Sequence, residues 1–437
     1  MRTTGRLRVS KPGLKKPAAW ASLFEGRKRR AGAVPQEEGQ SKAAPPRGRY
    51  LWVAGAVLAL VAGLICGFWV LGAREFADEQ LAEIETARAV PDAENAALIY
   101  DGLLSDPCVA SLVNAHLGNL EEPSVIQRRD EPWRSEDDPE LAAWIEDCAP
   151  ILDKLLQAAQ LEACRFPIGI DLLDLNRTER FAPMLQWPYL LSIAINNDLA
   201  EGRLDAAVPK WHCLIQMGNH LRQQPFVIDH LLANNTTALA LKSLVRFVAT
   251  DSPSAGCLQK IEAMPFPLTD DWPQHRTRIE TIDHLTQLRL KESVSLWDRL
   301  KSPFTVYRLK RIISKASSGP IERAGNGYRY NIATARGLRI VIALRRYHTD
   351  TGQWPAGLDQ IEASLPEGLL TDPVSGAPFL YHRRPDGFQL YSRGWNKIDE
   401  KGIWELEGAD DWSIWPLPKP QPKPRPAGSG PEETASR

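Results

Sequence analysis

The chain has 437 residues, of which 43% are hydrophobic and six are cysteine, and this length predicts two or three structural units. No two cysteines have the Cys-x-x-Cys spacing, which argues against a thioredoxin-like or zinc-ribbon site. The formal net charge of −1 conceals a strong asymmetry, because residues 1–49 contain thirteen Lys/Arg and three Asp/Glu. A basic arm joined to an acidic body predicts an anionic neighbour for the arm, either lipid headgroups, nucleic acid or the ribosome.

The N-terminal region combines this arm with an apolar segment. Residues 1–49 are rich in Pro, Gly, Arg and Lys, and we predict that they are disordered. The stretch from Leu51 to Ala73 contains no charged residue and is long enough to cross a hydrocarbon core of about 30 Å. We therefore predict a transmembrane helix over residues 50–73. A cleavable signal peptide is the alternative, but its apolar region would be shorter, about 7–15 residues.

The basic arm also predicts the orientation of the membrane helix. Segments rich in Lys and Arg stay in the cytoplasm, so we expect a cytoplasmic N-terminus and a periplasmic location for the bulk of the chain. The expected location is the inner (cytoplasmic) membrane of a bacterium, in a single pass. The expected partners are membrane lipids and other envelope proteins, with no specific nucleic acid.

Small residues line one face of the predicted membrane helix, at Gly55, Ala59, Gly63 and Gly67. Small residues spaced four apart let two membrane helices approach closely, which would allow a homodimer. The alternative is that Gly and Ala are simply common in membrane helices.

Residues 74–315 have the apolar spacing of helices, and we predict an all-α ectodomain. Asp92 is a plausible N-cap for the first of its helices. The stretch "NNDLAEGRLDAAV" predicts a helix, a corner with a glycine and a second helix. It resembles the turn of a tetratricopeptide-type hairpin, but the 34-residue period is not sustained, so we expect one or two helical hairpins rather than a solenoid.

Five cysteines lie in the part of the chain that is predicted to be exported, where disulfides can persist. They are Cys108, Cys148, Cys164, Cys213 and Cys257. Cys148 and Cys164 are expected on one helix, about 24 Å apart and too distant to pair. The pairing of the others stays open, and buried thiols are the expected state for most of them.

The C-terminal part predicts a small α+β module over residues 331–417, after a polar linker over residues 316–330 that contains Gly and Pro. An apolar helix ends before Gly352, and the strands "FLYHR" and "FQLYS" flank a strong hairpin signal at Pro385-Asp386-Gly387. Residues 418–437 predict an extended, proline-rich, disordered tail. The expected fold is therefore mainly α, with one transmembrane helix, a helical-hairpin ectodomain and this module.

The order of motifs in the module resembles the C-terminal domain of type II secretion major pseudopilins. That family shows a helix ending in Y..D.G.YP, then DP.G.PY.Y, then YS.G.DG and an acidic loop. The corresponding residues here are Tyr347, Asp350, Gly352, Trp354 and Pro355, then Asp372, Pro373, Gly376, Pro378, Phe379 and Tyr381, then Tyr391, Ser392 and Gly394. The match covers about a fifth of the chain, and the prepilin signal of the family is absent.

The resemblance also implies a calcium site, because the acidic loop of the family binds calcium through aspartates and backbone carbonyls. The corresponding ligands are Asn396, Asp399, Asp410 and Asp411, with Asn396 standing where an aspartate is usual. Oxygen ligands of this kind suit a hard cation. The alternative is a solvated acidic loop without a metal.

Signals for catalysis are weak. The sequence contains no HExxH, GxSxG, P-loop or Rossmann fingerprint. His212 and His220 lack a third ligand nearby, and Asp171 and Asp174 are better explained by capping and solvation than by hydrolysis. We therefore expect a structural or protein-binding envelope component rather than an enzyme. The alternatives are a hydrolase-like envelope enzyme with an unrecognised site and an accessory component of a type II secretion or pilus-like machine.

Overall fold

The computed structural model describes residues 76–168, 180–250, 253–293, 303–403 and 409–417. The predicted basic arm, membrane helix, small-residue stripe and proline-rich tail lie outside these ranges, as do Asp171 and Asp174. Within them, no single helix combines the length and the apolar composition that crossing a bilayer requires. One pair of helices, Ala96–Leu104 and Pro107–Leu117, meets both criteria when taken together but is bent by 78°.

The described part is mainly helical with one small sheet, which confirms the fold class at this level. The helices run over 76–87 (α1), Ala96–Leu104 (α2), Pro107–Leu117 (α3), Pro123–Asp130 (α4), Pro139–Asp147 (α5), Ala149–Ala158 (α6), Phe181–Ala200 (α7), Leu204–Arg222 (α8), Val227–Thr250 (α9), Ala255–Glu262 (α10), Trp272–Ser293 (α11), Pro303–Thr351 (α12) and Asp359–Glu362 (α13). A short 3₁₀ turn, Asp92–Glu94, precedes α2.

Side-chain caps and prolines set where several helices begin. Asn95 caps α2 by accepting a hydrogen bond from the backbone N–H of Ala97. The prediction of Asp92 as the cap is therefore wrong, because Asp92 lies in the short 3₁₀ turn that precedes α2. Asp106 and Asp138 cap α3 and α5 in the same way, each followed by a proline at the first helical position. Proline fits there because its missing N–H has no partner within the helix.

Helical hairpins form the centre of the helical region, as predicted. Helix α7 ends at Ala200 and α8 begins at Leu204, with Gly202 between them at φ 73°. Glycine reaches this left-handed conformation without a steric penalty, which is why the chain turns here. Helix α8 packs on α7 and α9, and α9 packs in turn on α12.

The predicted linker over residues 316–330 is wrong, because these residues are helical and lie inside α12. Two of the glycines that favoured a linker, Gly325 and Gly327, are points of close packing. A side chain at Gly325 would collide with the ring of Trp272, and a Cβ at Gly337 would lie 2.7 Å from Ile414 Cγ2. Glycine in the helix therefore serves to bring other elements close to its backbone.

The C-terminal sheet has three antiparallel strands in the order β1-β2-β3: Leu380–Arg384, Gly387–Ser392 and Trp412–Trp415. Arg384 pairs with Gly387, so the predicted hairpin forms around the two-residue turn Pro385-Asp386. Strand β3, which pairs with β2, was not predicted.

One hydrophobic core extends from Ala96 in α2 to Ile414 in β3, so the module is not separated from the helices before it.

Every cysteine in the described part is free; Cys108 is exposed and the other four are buried. Cys164 follows α6 instead of sharing a helix with Cys148, so that expectation was wrong.

Candidate functional site

The acidic loop, residues 393–411, joins β2 to β3 and contains the four predicted calcium ligands. Asp410 Oδ2 accepts hydrogen bonds from the backbone N–H groups of Trp395, at 2.8 Å, and Asn396, at 3.1 Å. Asp399 Oδ1 accepts from Tyr391 Oη at 2.8 Å. These carboxylates thus shape the loop by binding its own donors.

Other carboxylate oxygens of the loop are buried without a donor. Asp410 Oδ1, Asp411 Oδ1 and Glu400 Oε2 have no hydrogen-bond partner among the described residues. Burial raises the pKa of Asp411 to about 6, and the nearby Glu400 and Asp399 carboxylates add to this effect. Asp411 Oδ2 accepts from the backbone N–H of Gly402 at 2.8 Å, but a buried carboxylate oxygen that has no donor is costly when the group is ionised. The cluster therefore has a local excess of negative charge that a cation would relieve.

The structure adds Glu400 to the predicted set and limits how the set could act. Asn396 Nδ2 donates to Glu400 Oε1 at 2.6 Å, while Asp399 forms an ion pair with Lys401 at 2.9 Å. In the described part of the chain no three His, Cys, Asp or Glu side chains are grouped so that they could hold one metal ion. A cation here would therefore need backbone carbonyls beside the Glu400 and Asp411 oxygens.

His220 is part of the core. Its Nε2 lies 2.8 Å from the carbonyl oxygen of Leu161 and its Nδ1 lies 3.0 Å from Tyr100 Oη. This arrangement assigns the proton to Nε2 and makes Nδ1 the acceptor for the tyrosine hydroxyl. Burial lowers the pKa of His220 to about 4, so the ring is neutral at physiological pH. His212 is half-buried on the same helix, where burial also lowers its pKa.

The arginines of α12 bind other segments of the same chain. Arg345 Nε donates to the carbonyl oxygen of Val248, at 3.0 Å, in the last turn of α9. Arg346 forms a bidentate pair with Glu262 at the end of α10, with distances of 2.9 and 2.7 Å. Cations at helix C-termini satisfy free carbonyls and the helix dipole.

A cleft of about 320 Å³ lies where α8, α11 and α12 meet the loop between α10 and α11. We call it the Arg222 cleft. Its polar lining is formed by Asn219, Arg222, Gln223, Thr269, Asp271, His275, Arg278 and Tyr328. Its apolar wall is formed by Pro265, Phe266, Pro267 and Leu268.

Arg222 is buried beside this cleft without an acidic partner. Its guanidinium donates to Asn219 Oδ1 at 2.6 Å and to Thr237 Oγ1 at 2.5 Å, and it lies 5.3 Å from the centre of the Tyr328 ring. Its Nε has no hydrogen-bond partner among the described residues. Burial lowers the pKa of Arg222 to about 10, so the group stays charged at neutral pH.

Asp271 is the acidic group of the cleft. It accepts a hydrogen bond from Tyr328 Oη at 2.5 Å and lies 3.4 Å from His275 Nε2. Burial alone would raise the pKa of Asp271, but the contacts with His275 and Tyr328 outweigh burial and lower the pKa to about 2. The other ring nitrogen of His275, Nδ1, is buried and has no partner among the described residues.

Sequence reasoning missed this cleft because its residues come from four separate elements. Asp271 and His275 are four positions apart at the start of a helix, and this spacing was the single local signal for a pair. Nothing in the sequence brings Arg222 or Tyr328 to them.

Compared with family models, curated proteins and solved structures, the chain matches none of them.

Proposed function

We propose that this chain is a single-pass protein of the bacterial inner membrane, with a cytoplasmic N-terminus and a periplasmic body that binds other envelope proteins. The observation that carries the proposal is the charge-free segment from Leu51 to Ala73 behind a strongly basic arm. Such a segment favours an uncleaved anchor, and its basic flank favours retention of the N-terminus in the cytoplasm.

The packing of the fold supports a role in binding a partner, because the helical hairpins and the sheet are held together and are not hinged. The helical hairpins and the sheet share one hydrophobic core along α12, whose 49 residues correspond to a length of about 73 Å at 1.5 Å per residue. A body of this kind presents its surfaces in a fixed geometry, which reduces the ordering cost of binding a partner.

The topology is tested with reporter fusions. A reporter placed after Arg49 is expected to be active only in the cytoplasm, and one placed at the C-terminus of the full chain only in the periplasm. Placing the second reporter at the end avoids cutting α12. If both reporters are active in the same compartment, the anchor proposal is wrong.

We propose that the C-terminal sheet and its helix are a pseudopilin-like head whose acidic loop binds calcium. The buried oxygens of Glu400, Asp410 and Asp411 without donors support a cation at this loop. Asn396 and Asp399, the other predicted ligands, would shape the loop through the contacts described above. When bound, calcium would supply positive charge to these carboxylates and tie the loop to the sheet.

The calcium proposal is tested by melting the full chain in detergent, in millimolar calcium and in chelator. A ligand at a hundredfold excess over its dissociation constant stabilises the folded state by about 2.7 kcal/mol. Asp410→Ala combined with Asp411→Ala is expected to abolish the calcium-dependent rise in Tm. Asp386→Ala, in the exposed hairpin turn, is the matched control and is expected to keep it. An unchanged Tm for the unsubstituted chain would rule the site out.

A second candidate function is a hydrolase-like envelope enzyme, and the Arg222 cleft is the observation that favours it. Asp271 and His275 form a carboxylate–imidazole pair, which is a common element of general acid–base catalysis. His275→Gln is expected to abolish a hydrolytic activity of the purified chain if this candidate is correct.

The third candidate function is an accessory component of a type II secretion or pilus-like machine. It is supported by the residues of the C-terminal module that resemble the pseudopilin motifs. Co-purification with secretion proteins from detergent-solubilised membranes would favour it.

A further inference from the structure

We propose that the Arg222 cleft is a binding site for a carboxylate that bears an apolar group, either a small free acid or the C-terminus of a peptide. The site lies apart from the acidic loop, and the inference does not depend on the membrane anchor or on calcium. Charge, hydrogen-bond donors and the shape of the cleft lead to this class of ligand.

The charges of the cleft match a monoanion. Arg222 and Arg278 contribute two positive charges, and Asp271 contributes one negative charge. In the described part of the chain neither arginine has a carboxylate within ion-pair distance, whereas Arg276 on the neighbouring face of α11 pairs with Glu280 at 2.7 Å. A single carboxylate would therefore balance the excess. A phosphate monoester, with a charge of about −1.5 to −2 at neutral pH, would leave excess negative charge beside Asp271.

The donors are suited to a carboxylate. A guanidinium is a planar group that binds carboxylates through paired hydrogen bonds, and these hydrogen bonds are stronger where water is excluded. Arg222 is 5% exposed and is held in place by Asn219 and Thr237, so its orientation does not have to be fixed at the moment of binding. Arg278 is exposed at the rim, where its Nη1 makes one long contact, 3.5 Å, with the carbonyl oxygen of Gln223.

The remaining lining selects an apolar substituent. Phe266 and Leu268 line the same cleft as the charged groups, within a loop that Asn219 fastens by donating to the carbonyl oxygen of Pro265 at 2.9 Å. A volume of about 320 Å³ accommodates a ligand of the size of an acylated amino acid, at the small end of known ligand sites. A leucine-like side chain next to its carboxylate would use both the apolar and the charged lining residues.

Isothermal titration of the full chain in detergent tests the proposal with acetyl-leucine, acetyl-Ala-Leu-Leu with a free C-terminus, and acetyl-leucinamide. Both acids are expected to bind and the amide is expected not to, because it lacks the charge that the arginines recognise. Tighter binding of the tripeptide than of acetyl-leucine would identify a peptide C-terminus as the source, and the reverse would identify a small acid. Inorganic phosphate is the competing probe and is expected to bind more weakly than either acid.

Substitutions test whether the acids bind in the Arg222 cleft. Arg278→Gln, an exposed change that leaves the core intact, is expected to weaken acid binding about tenfold. Arg276→Gln, on the same helix but outside the cleft, is the matched control and is expected to leave the affinity unchanged. Leu268→Ala is expected to weaken acetyl-leucine more than acetate. Absence of binding by both acids at about 10 mM, or equal losses for Arg278→Gln and Arg276→Gln, would overturn the proposal.

Discussion

Asp271 remains ionised at low pH because two neighbours stabilise its charged form. Tyr328 donates to it at 2.5 Å, and this contact together with His275 lowers the pKa of Asp271 to about 2 in spite of burial. A carboxyl whose pKa is lower in the folded chain than its ordinary value of 3.8 stabilises the fold above that value. The contribution is lost as the pH falls from about 3.8 through about 2.

Tyr328→Phe is therefore expected to raise the pKa of Asp271 towards its ordinary value, since the hydroxyl that stabilises the carboxylate is lost. Carboxyl NMR titration of the full chain measures the shift directly. Tyr347→Phe, on the same helix but away from the cleft, is expected to leave that pKa unchanged. A pKa of Asp271 that stays at about 2 in Tyr328→Phe would assign the whole effect to His275.

Asp411 gives the opposite pH dependence. Burial raises the pKa of Asp411 from 3.8 to about 6, so the folded chain binds this proton more tightly than the unfolded chain. The resulting stabilisation is fully present below pH 3.8 and is lost as the pH rises through about 6. Asp411→Asn is expected to flatten this part of the stability curve in chelator, as measured by Tm between pH 4 and 7. Asp386→Asn is the control; a curve for Asp411→Asn as steep as that of the unsubstituted chain would contradict the assignment.

At the residue scale, the sequence predicted which residues would be structurally important more reliably than it predicted their contacts. Asp372 was part of the pseudopilin-like motif, and its buried carboxylate binds the backbone of Val374 and Ser375 and the hydroxyl of Ser392. The local part of that contact follows from the turn chemistry of Asp-Pro-x-Ser-Gly. The contact with Ser392 does not, because it depends on how the strand folds back over the turn.

Helix α12 shows how glycine can have opposite effects within one element. Gly319 is exposed, with no atom within 4 Å of where its Cβ would be, so Gly319→Ala is expected to stabilise the fold by about 0.5–1 kcal/mol through helix propensity. A Cβ at Gly337 would lie 2.7 Å from Ile414 Cγ2. Gly337→Ala is therefore expected to destabilise the fold by about 1–3 kcal/mol through overpacking. Chemical denaturation of the full chain measures both. Equal effects of the two substitutions would contradict the close packing of α12 against β3.

The elements that were predicted correctly have local determinants. The β1–β2 hairpin follows from its two-residue turn, and the α7–α8 hairpin follows from helical periodicity on both sides of Gly202. The linker was predicted wrongly because Gly325 and Gly327 also suit a helix whose neighbours approach its backbone. Strand β3 was missed because its partner, β2, lies on the far side of the long acidic loop.

At the scale of the whole molecule, contacts across α12 join the helical hairpins to the sheet. Leu244 of α9, Leu338 of α12 and Ile414 of β3 are fully buried in the same core. Polar contacts reinforce the junction, as Trp412 Nε1 donates to Thr334 Oγ1 at 3.0 Å and Arg345 binds the end of α9. Separating the head from the helices would expose the face of α12 that packs on α9.

The helical hairpins and the sheet are therefore expected to unfold as one cooperative unit. Elements that share a core lose their packing together, so tryptophan fluorescence and helical circular dichroism of the full chain should report the same transition in denaturant. The isolated segment from Asn326 to Pro418 retains the C-terminal part of α12 and the sheet but loses α9, and it is expected not to fold alone. The longer segment from Ala96 to Pro418, which keeps the whole core, is the matched control and is expected to fold. A folded isolated segment, or two separate transitions in the full chain, would show that the C-terminal module is an independent domain.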